Sequence, residues 1–330
     1  MNTVLIITDN LRTQINGVVT TFKNLERLAA LDDHCLVYID PSDFAHVSAP
    51  GYAEVKLSLP LRIGSKIKSI NPDYIHIATE GPIGFAAKIW LDKHKWKYNT
   101  SYHTKFPEFL NRLYHIPESW SYAYLRWFHK HSGRVLTTTQ TMVNELKEHG
   151  FRGDIIAWTR GVNRDIFNPG HRQDNNNITL VCVSRISKEK GIEDFCNLHY
   201  IGAKKIVVGD GPYRAELEKK YPDIEFVGLK KGTDLAKYYA SADVFVFPSR
   251  TDTFGIVIIE AMACGTPVAA YPVTGPIDII EQYQTGFMDE SLTVAIDHCL
   301  DLEREIVYDN SKKWSWENCW NIFKDNLVKV

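Results

Sequence analysis

Residues 243–277 read DVFVFPSRTDTFGIVIIEAMACGTPVAAYPVTGPI. A short apolar run, Val244 to Phe247, leads into a polar loop that ends in Phe254-Gly255, and a helix is expected to follow. Two carboxylates, Asp252 and Glu260, flank that helix start. The first turn of a helix exposes unpaired N–H groups and a partial positive charge, so it can hold phosphate. Gly255 and Ile256 would offer backbone N–H groups there, and Gly255 allows close approach of the main chain. A carboxylate on either side can accept hydrogen bonds from vicinal sugar hydroxyls. These parts suit a diphosphate with a sugar ring at each end. Glu260 sits among Ile258, Ile259, Ala261 and Met262. A glutamate is rarely buried in such company without a partner.

Two cations lie upstream. Arg185 and Lys190 follow the apolar strand Leu180-Val-Cys-Val-Ser. A diphosphate gains charge as its bond to a sugar breaks, so fixed cations beside it favour the transition state over the ground state. Arginine can fork onto phosphate, whereas lysine acts as a point charge. No Asp-x-Asp pair occurs to hold a divalent ion, and no metal is expected. Near the start, Asn16-Gly17 falls between a strand and a helix, where a glycine lets the backbone approach a ligand. No Gly-x-Gly-x-x-Gly follows, which argues against a dinucleotide site. His103 sits just past a strand, and Glu80-Gly81 occupies another strand-to-helix turn.

Strand and helix patterns alternate over these residues, which implies parallel sheets covered on both faces. In the first half, strands are predicted at 3–8, 35–39, 74–78, 97–102, 135–139 and 155–158, and helices at 18–31, 64–70, 82–95, 119–130 and 140–149. The pattern breaks between Arg160 and the Asn-rich run at 175–177, a turn and linker composition. It restarts with strands at 179–184, 205–209, 225–227, 244–247 and 267–270, and helices at 192–199, 213–221, 234–241 and 256–264. The predicted fold class is therefore α/β with two doubly wound domains. Such sheets bind ligands beyond the carboxyl ends of their strands. The predicted divisions are 1–160, a linker at 161–177, 178–313, and a Trp-rich helix at 314–330.

A chain of 330 residues is long for one core, which favours two domains. Its net charge of −2 is unevenly spread: residues 85–134 hold nine Lys or Arg against three Asp or Glu. Trp90, Trp96, Trp120 and Trp127 interleave with Lys88, Lys93, Lys95, Lys97, Arg126 and Lys130 in that segment. Such a pattern fits either a solvated basic face over core aromatics or a patch that docks on anionic lipid. Nucleic-acid binding is not expected, because the total charge is slightly negative. Six scattered cysteines show no Cys-x-x-Cys or zinc spacing, and read as reduced thiols of a cytoplasmic protein. No apolar run is long enough to span a bilayer.

The stretch around Asp252 and Glu260 resembles the Glu-x7-Glu signature of the family 4 retaining glycosyltransferases. The resemblance extends over nearly the whole chain, through Asn16-Gly17-Val18, Ser101-Tyr-His103-Thr104, Arg160-Gly161-Val162, Arg185 to Gly191, Gly209-Asp-Gly-Pro212 and Phe226-Val-Gly228. One position departs: Asp252 stands where the family usually has Glu. The resemblance implies the GT-B fold, two Rossmann-like domains facing across a cleft, with the C-terminal helix crossing back to the N-terminal domain. It implies that Glu260 binds the ribose hydroxyls and Asp252 faces the transferred sugar. Arg185 and Lys190 would hold the diphosphate, and His103 would lie near the reacting carbon. Asn16, Gly17, Gly209, Gly228, Thr253, Phe254, Gly255 and Ile256 would complete the donor site. Glu80, Gly81 and Lys105 are acceptor-side candidates. The implied partners are a UDP- or GDP-sugar and a glycan or lipid acceptor, with no further cofactor. A nucleotide-sugar epimerase or hydrolase and a non-catalytic binder are the rival readings.

Overall fold

A computed structural model describes residues 1–14, 16–49 and 52–330. The chain divides into two compact units, one formed by Met1–Arg160 with Trp316–Val330, the other by Gly161–Ser315.

The first unit runs β1 (Asn2–Ile7), α1 (Gly17–Leu31), β2 (His34–Ile39), β3 (His46–Ala49), β4 (Tyr52–Ser58), α2 (Ile63–Ile70), β5 (Tyr74–Ile77), α3 (Pro82–His94), β6 (Asn99–Tyr102), α4 (Phe106–Tyr114), α5 (Glu118–His129), β7 (Val135–Thr137), α6 (Gln140–Glu148) and β8 (Ile155–Ala157). Its six-stranded sheet has the order β2-β1-β5-β6-β7-β8 and is parallel throughout. β1 lies inside the sheet, between β2 and β5, and is apolar on both faces. Val4 and Ile6 pack on one side with Phe22, Leu25 and Trp158, while Leu5 and Ile7 pack on the other with Ile63, Ile83 and Leu91. Burial on both faces is what its unbroken apolar run requires.

The second unit runs β9 (Thr179–Val183), α7 (Ile192–Asn197), β10 (Lys204–Val208), α8 (Arg214–Lys220), β11 (Glu225–Gly228), α9 (Gly232–Ser241), β12 (Val244–Phe247), α10 (Ile256–Ala263), β13 (Val268–Ala270), α11 (Pro276–Ile279), β14 (Gly286–Met288), α12 (Leu292–Leu300) and α13 (Arg304–Ser311). Its parallel sheet has the order β11-β10-β9-β12-β13-β14. Counted within the unit, that order is 3-2-1-4-5-6, the Rossmann arrangement. Its topological switch point lies between β9 and β12. Val162 and Phe167 are seated in this unit's core, with Val181, Tyr239 and Phe245.

The last helix, α14 (Trp316–Asp325), belongs to the first unit. Trp316, Cys319, Trp320 and Phe323 are buried against Phe22 and Trp158. Trp158 Nε1 donates to Cys319 O at 3.0 Å, and Trp320 Nε1 donates to Asp32 Oδ2 at 2.9 Å. The tryptophans fill the core with their rings and still satisfy their polar atoms.

Several elements escape the sequence pattern. The β3–β4 hairpin, α4, α11, β14, α12 and α13 all form where no element is predicted. β6 starts at Asn99, two residues later than predicted. α1 starts at Gly17 because Asn16 Oδ1 accepts from Val19 N at 2.9 Å and caps it.

Candidate active site

The second unit's loops converge at its switch point. Lys190 ends a 3-10 turn (Lys188–Lys190) after β9, and Asp252 lies in the loop after β12. Lys190 Nζ donates to Asp252 Oδ1 at 2.5 Å, with both side chains about three-quarters buried. Thr251 Oγ1 also donates to Glu189 O at 3.3 Å. Two segments 62 residues apart are thus held together because β9 and β12 are neighbours. An ammonium has three donors; the other two of Lys190 find no partner among the described residues. Arg185 lies exposed at the start of the same loop.

Gly255 opens α10 with a φ of 91°, a left-handed turn. A Cβ there would lie 3.0 Å from Ile258 Cδ1 and 3.2 Å from Phe247 Cζ. No side chain caps the helix; Ile258 N–H bonds back to Gly255 O at 2.9 Å, and an uncapped helix start of this kind can receive an anion on its earlier N–H groups. The rest of α10 is apolar, with Ile258, Ile259, Ala261, Met262 and Ala263 buried. Glu260 is the exception. Tyr239 on α9 donates its hydroxyl to Glu260 Oε2 at 3.1 Å. Burial pushes the Glu260 carboxyl up to about 7, and the Tyr239 bond opposes that rise. Glycines complete the surroundings: Gly209, after β10, donates its N–H to Gly228 O at 3.0 Å.

The structure also places the other expected donor-site residues of this loop. Asp252 is turned to the Lys190 ammonium, whose charge outcompetes open solvent for the carboxylate. Phe254 is 4% exposed, and its ring meets Trp314 edge-on at 5.6 Å. Thr253 is buried and Ile256 half-buried. Tyr239 was missed. Its only signal in the sequence is a place on a helix, which marks core rather than chemistry.

The first unit has its own loop cluster. Its order, 2-1-3-4-5-6 without the hairpin, puts the switch point between β1 and β5. That point is filled from within. Asp9 Oδ1 accepts from Ile83 N at 2.7 Å and Oδ2 from Thr79 Oγ1 at 2.8 Å, at the start of α3. Burial raises the Asp9 carboxyl above the usual range, while these donors hold it down. A Cβ on Gly81 would fall 2.5 Å from Asp9 Cγ. Gly81 therefore makes room for this carboxylate. Glu80 faces His129, with Oε1 3.4 Å from Nε2. Tyr124 Oη donates to Glu80 O at 2.6 Å. Lys105 pairs with Glu145 at 2.7 Å. Asn16 Nδ2 donates to Asn10 Oδ1 at 3.2 Å while its oxygen caps α1, and Gly17 is exposed.

His103 follows β6. Nδ1 is 3.0 Å from Arg160 Nη2, and Nε2 is 2.8 Å from Ser101 Oγ. Burial, and then the Arg160 charge, push its pKa well below the usual range, so the ring is neutral. Arg160 was quoted in the sequence only as part of a motif, and its 3% exposure marks it as a buried cation.

Among the described residues no group of three or more His, Cys, Asp or Glu could hold a metal ion. No helix among them is long and apolar enough to cross a membrane.

Comparison with known proteins gives two family matches: "Glycosyltransferase Family 4" over residues 16–166 and "Glycosyl transferases group 1" over residues 177–302. A GDP-mannose-dependent alpha-mannosyltransferase of Corynebacterium glutamicum is 29% identical over 95% of this chain and 86% of its own length. A sulfoquinovosyl transferase of Arabidopsis thaliana is 31% identical, over 80% of this chain and 56% of its own. Among solved structures, sucrose-phosphate synthase of Thermosynechococcus elongatus superposes with a TM-score of 0.80 at 18% identity, covering 98% of both chains. At that identity the likeness is one of fold, and the shared fold is GT-B.

Proposed function

We propose that the chain moves a hexosyl group, with retention, from a nucleoside-diphosphate sugar to an acceptor hydroxyl, on the strength of its two glycosyltransferase family matches and its GT-B fold. The observation that carries this reading is the Lys190–Asp252 pair beside the uncapped start of α10, with Glu260 further along the same helix. In it, the α10 N–H groups, Lys190 and Arg185 neutralise the diphosphate. Glu260 accepts from the ribose hydroxyls. Asp252, shared with Lys190, accepts from the transferred sugar and moves with the ammonium when phosphate arrives. The departing phosphate takes the acceptor's proton on the leaving-group face.

The first donor to test is GDP-mannose, for which the C. glutamicum relative is named. GDP is expected to raise the melting temperature more than UDP at equal concentration. A ligand at 100 times its Kd adds about 2.7 kcal/mol of stability. Product analysis by NMR should show the α-anomer from an α-linked donor; a β-product rejects retention. Transfer should persist in EDTA, because the charge neutralisation is built from side chains and a helix. Activity lost in EDTA and restored by magnesium or manganese would reject that part.

For the acceptor we propose a lipid or lipid-linked glycan. Phe85, Ile89, Trp120 and Trp127 are 40%, 45%, 71% and 41% exposed on α3 and α5, and Arg126, Lys130, Lys93 and Lys95 are exposed beside them in sequence. Lys88 does not belong to this surface. It is 1% exposed, 2.5 Å from Asp92 Oδ2 and under the Trp127 ring at 4.2 Å. Basic and aromatic side chains together favour anionic headgroups. The chain is expected to sediment with phosphatidylglycerol vesicles and not with phosphatidylcholine vesicles. Trp120→Ser with Trp127→Ser should weaken that binding about tenfold or more. Equal binding of the parent to both vesicles would reject an electrostatic dock.

A further inference from the structure

The two helices that bring Tyr239 to Glu260 both end on one side chain of the second unit. Tyr239 lies on α9 and Glu260 on α10, and Arg304 is the first residue of α13. Arg304 Nη1 donates to Ala242 O at 2.7 Å, and Nη2 donates to Ala240 O at 2.7 Å, both at the end of α9. Nη2 also reaches Cys264 O, at the end of α10, at 3.4 Å, and Thr266 Oγ1 at 2.9 Å. The last carbonyls of a helix have no partner within it, and a cation there also suits the helix dipole.

A guanidinium only donates, so Thr266 Oγ1 accepts from Arg304 and gives its own proton to Tyr239 O, 2.6 Å away. Thr266 is fully buried. Tyr239 Oη donates to Glu260 Oε2 at 3.1 Å. Glu260 O accepts from Cys264 N at 3.2 Å, and Cys264 O leads back to Arg304. The phenol and the carboxylate thus belong to one closed ring of hydrogen bonds, with the guanidinium opposite them. Burial first, and then the Arg172 charge, lower the Arg304 pKa to about 10, while Asp243 opposes the fall. Asp243 Oδ1 itself faces Arg172 Nη2, at 3.8 Å. No carboxylate pairs with Arg304 among the described residues. Its ligands are the oxygens at two helix ends, and a planar fork reaches both where a single ammonium would reach one.

We propose that Arg304 is a positioning residue for the nucleotide site: by tying the ends of α9 and α10 together, it sets the Tyr239 hydroxyl on the Glu260 carboxylate and so aims that carboxylate at the ribose hydroxyls. This rests on reading the chain as a nucleotide-sugar glycosyltransferase. Arg304 itself touches no substrate. The ionisable groups beside Glu260 are Tyr239 on α9 and Cys264, one turn further along from Glu260 itself.

The test is a carbon-13 titration of the Glu260 carboxyl in the full chain, through its midpoint near 7, together with GDP affinity by calorimetry. The Tyr239 bond holds that midpoint down, so loosening it raises the midpoint. Arg304→Met should raise it by about half a unit or more and weaken GDP about fivefold at roughly pH 8, the worth of one hydrogen bond. Tyr239→Phe should do the same, and adding Arg304→Met to Tyr239→Phe should change neither quantity further, because both act through one contact. Arg304→Lys keeps the charge without the fork and should show part of both effects. An Arg304→Met chain that melts lower while midpoint and GDP affinity stay put overturns the proposal, since Arg304 would then only cap helices. So do full additivity with Tyr239→Phe, and an Arg304→Lys chain indistinguishable from the parent, which would make the effect one of charge. If Arg304→Met does not fold, Arg304→Lys and Thr266→Val decide: Thr266→Val breaks the link to Tyr239 O and should also raise the midpoint, and no change in either variant overturns the proposal. A parent that binds neither GDP nor UDP removes the ribose half of the proposal and the glycosyltransferase reading with it, while the Glu260 midpoint in the free protein is read independently.

Discussion

Lys190→Ala is expected to lower turnover at least about 100-fold, roughly 2.7 kcal/mol of transition-state stabilisation, with the chain still folded. The ammonium is pinned by Asp252 at 2.5 Å and keeps two donors for a phosphate. Its charge is most useful when the diphosphate departs, so the loss should fall on kcat more than on donor KM. The substitution also leaves Asp252 without its cation in a loop about three-quarters buried. That repels the diphosphate and adds to the effect. Folding should suffer little, because the turn is also held by Thr251 on Glu189 O. Lys190→Arg should recover part of the rate by keeping the charge. Near-normal turnover in Lys190→Ala, measured with donor saturating, would remove the diphosphate site from this position.

Glu260 carries the second large effect, and its sign differs between activity and stability. Glu260→Ala is expected to cut activity at least about 100-fold. Glu260→Gln should also impair the enzyme yet stabilise the fold at high pH. The carboxyl titrates near 7 in the folded protein against an ordinary value of 4.5, because ionising it inside α10 is costly. Stability from a raised pKa is fully present below pH 4.5 and is lost as pH climbs to 7. Glutamine has no such loss. Parent and Glu260→Gln should therefore melt alike near pH 4.5 and diverge up to pH 7, with the variant ahead on the order of 2–3 kcal/mol above it. Calorimetry at three pH values checks this. A parent that gains on the variant as pH rises would contradict a buried, proton-holding Glu260. Nucleotide affinity should move the other way in the parent, tightening from pH 6 to 8 as the carboxylate forms, and should be flat in Glu260→Gln.

Much of the architecture could be read in one dimension. Val244–Phe247 is a strand with the bounds its apolar run suggests. α10 starts directly after Gly255, where turn residues give way to an apolar helix. The elements that escaped did so for identifiable reasons. α12 and α13 are short and mix polar and apolar residues, and the signals that open them are weak, since neither has a side-chain cap. β14 is three residues long, too short for a period to show. α4 opens with Phe106-Pro107, where a proline reads as a break, although it is well suited to the first turn of a helix.

Residue roles were less legible than elements. The type and order of Arg185, Lys190, Asp252 and Glu260 suggest phosphate and sugar chemistry before any fold is known. Nothing in their spacing says that Lys190 and Asp252 touch, or that Tyr239 closes over Glu260. Asn16 also caps α1 with its oxygen, and the missing Cβ of Gly81 also admits Asp9; neither role shows in the sequence.

By itself the amino-acid sequence determined local conformation: which segments are buried strands, where helices begin, and that two carboxylates flank the start of one helix. These follow from short-range sterics and from the period of apolar residues. Only the tertiary structure decided which charges meet. Sheet order sets β9 against β12 and so joins Lys190 to Asp252, and it sets β6 against β7 and β7 against β8, which carries His103 to Arg160. Those pairings come from long-range packing of whole elements, which no local pattern encodes.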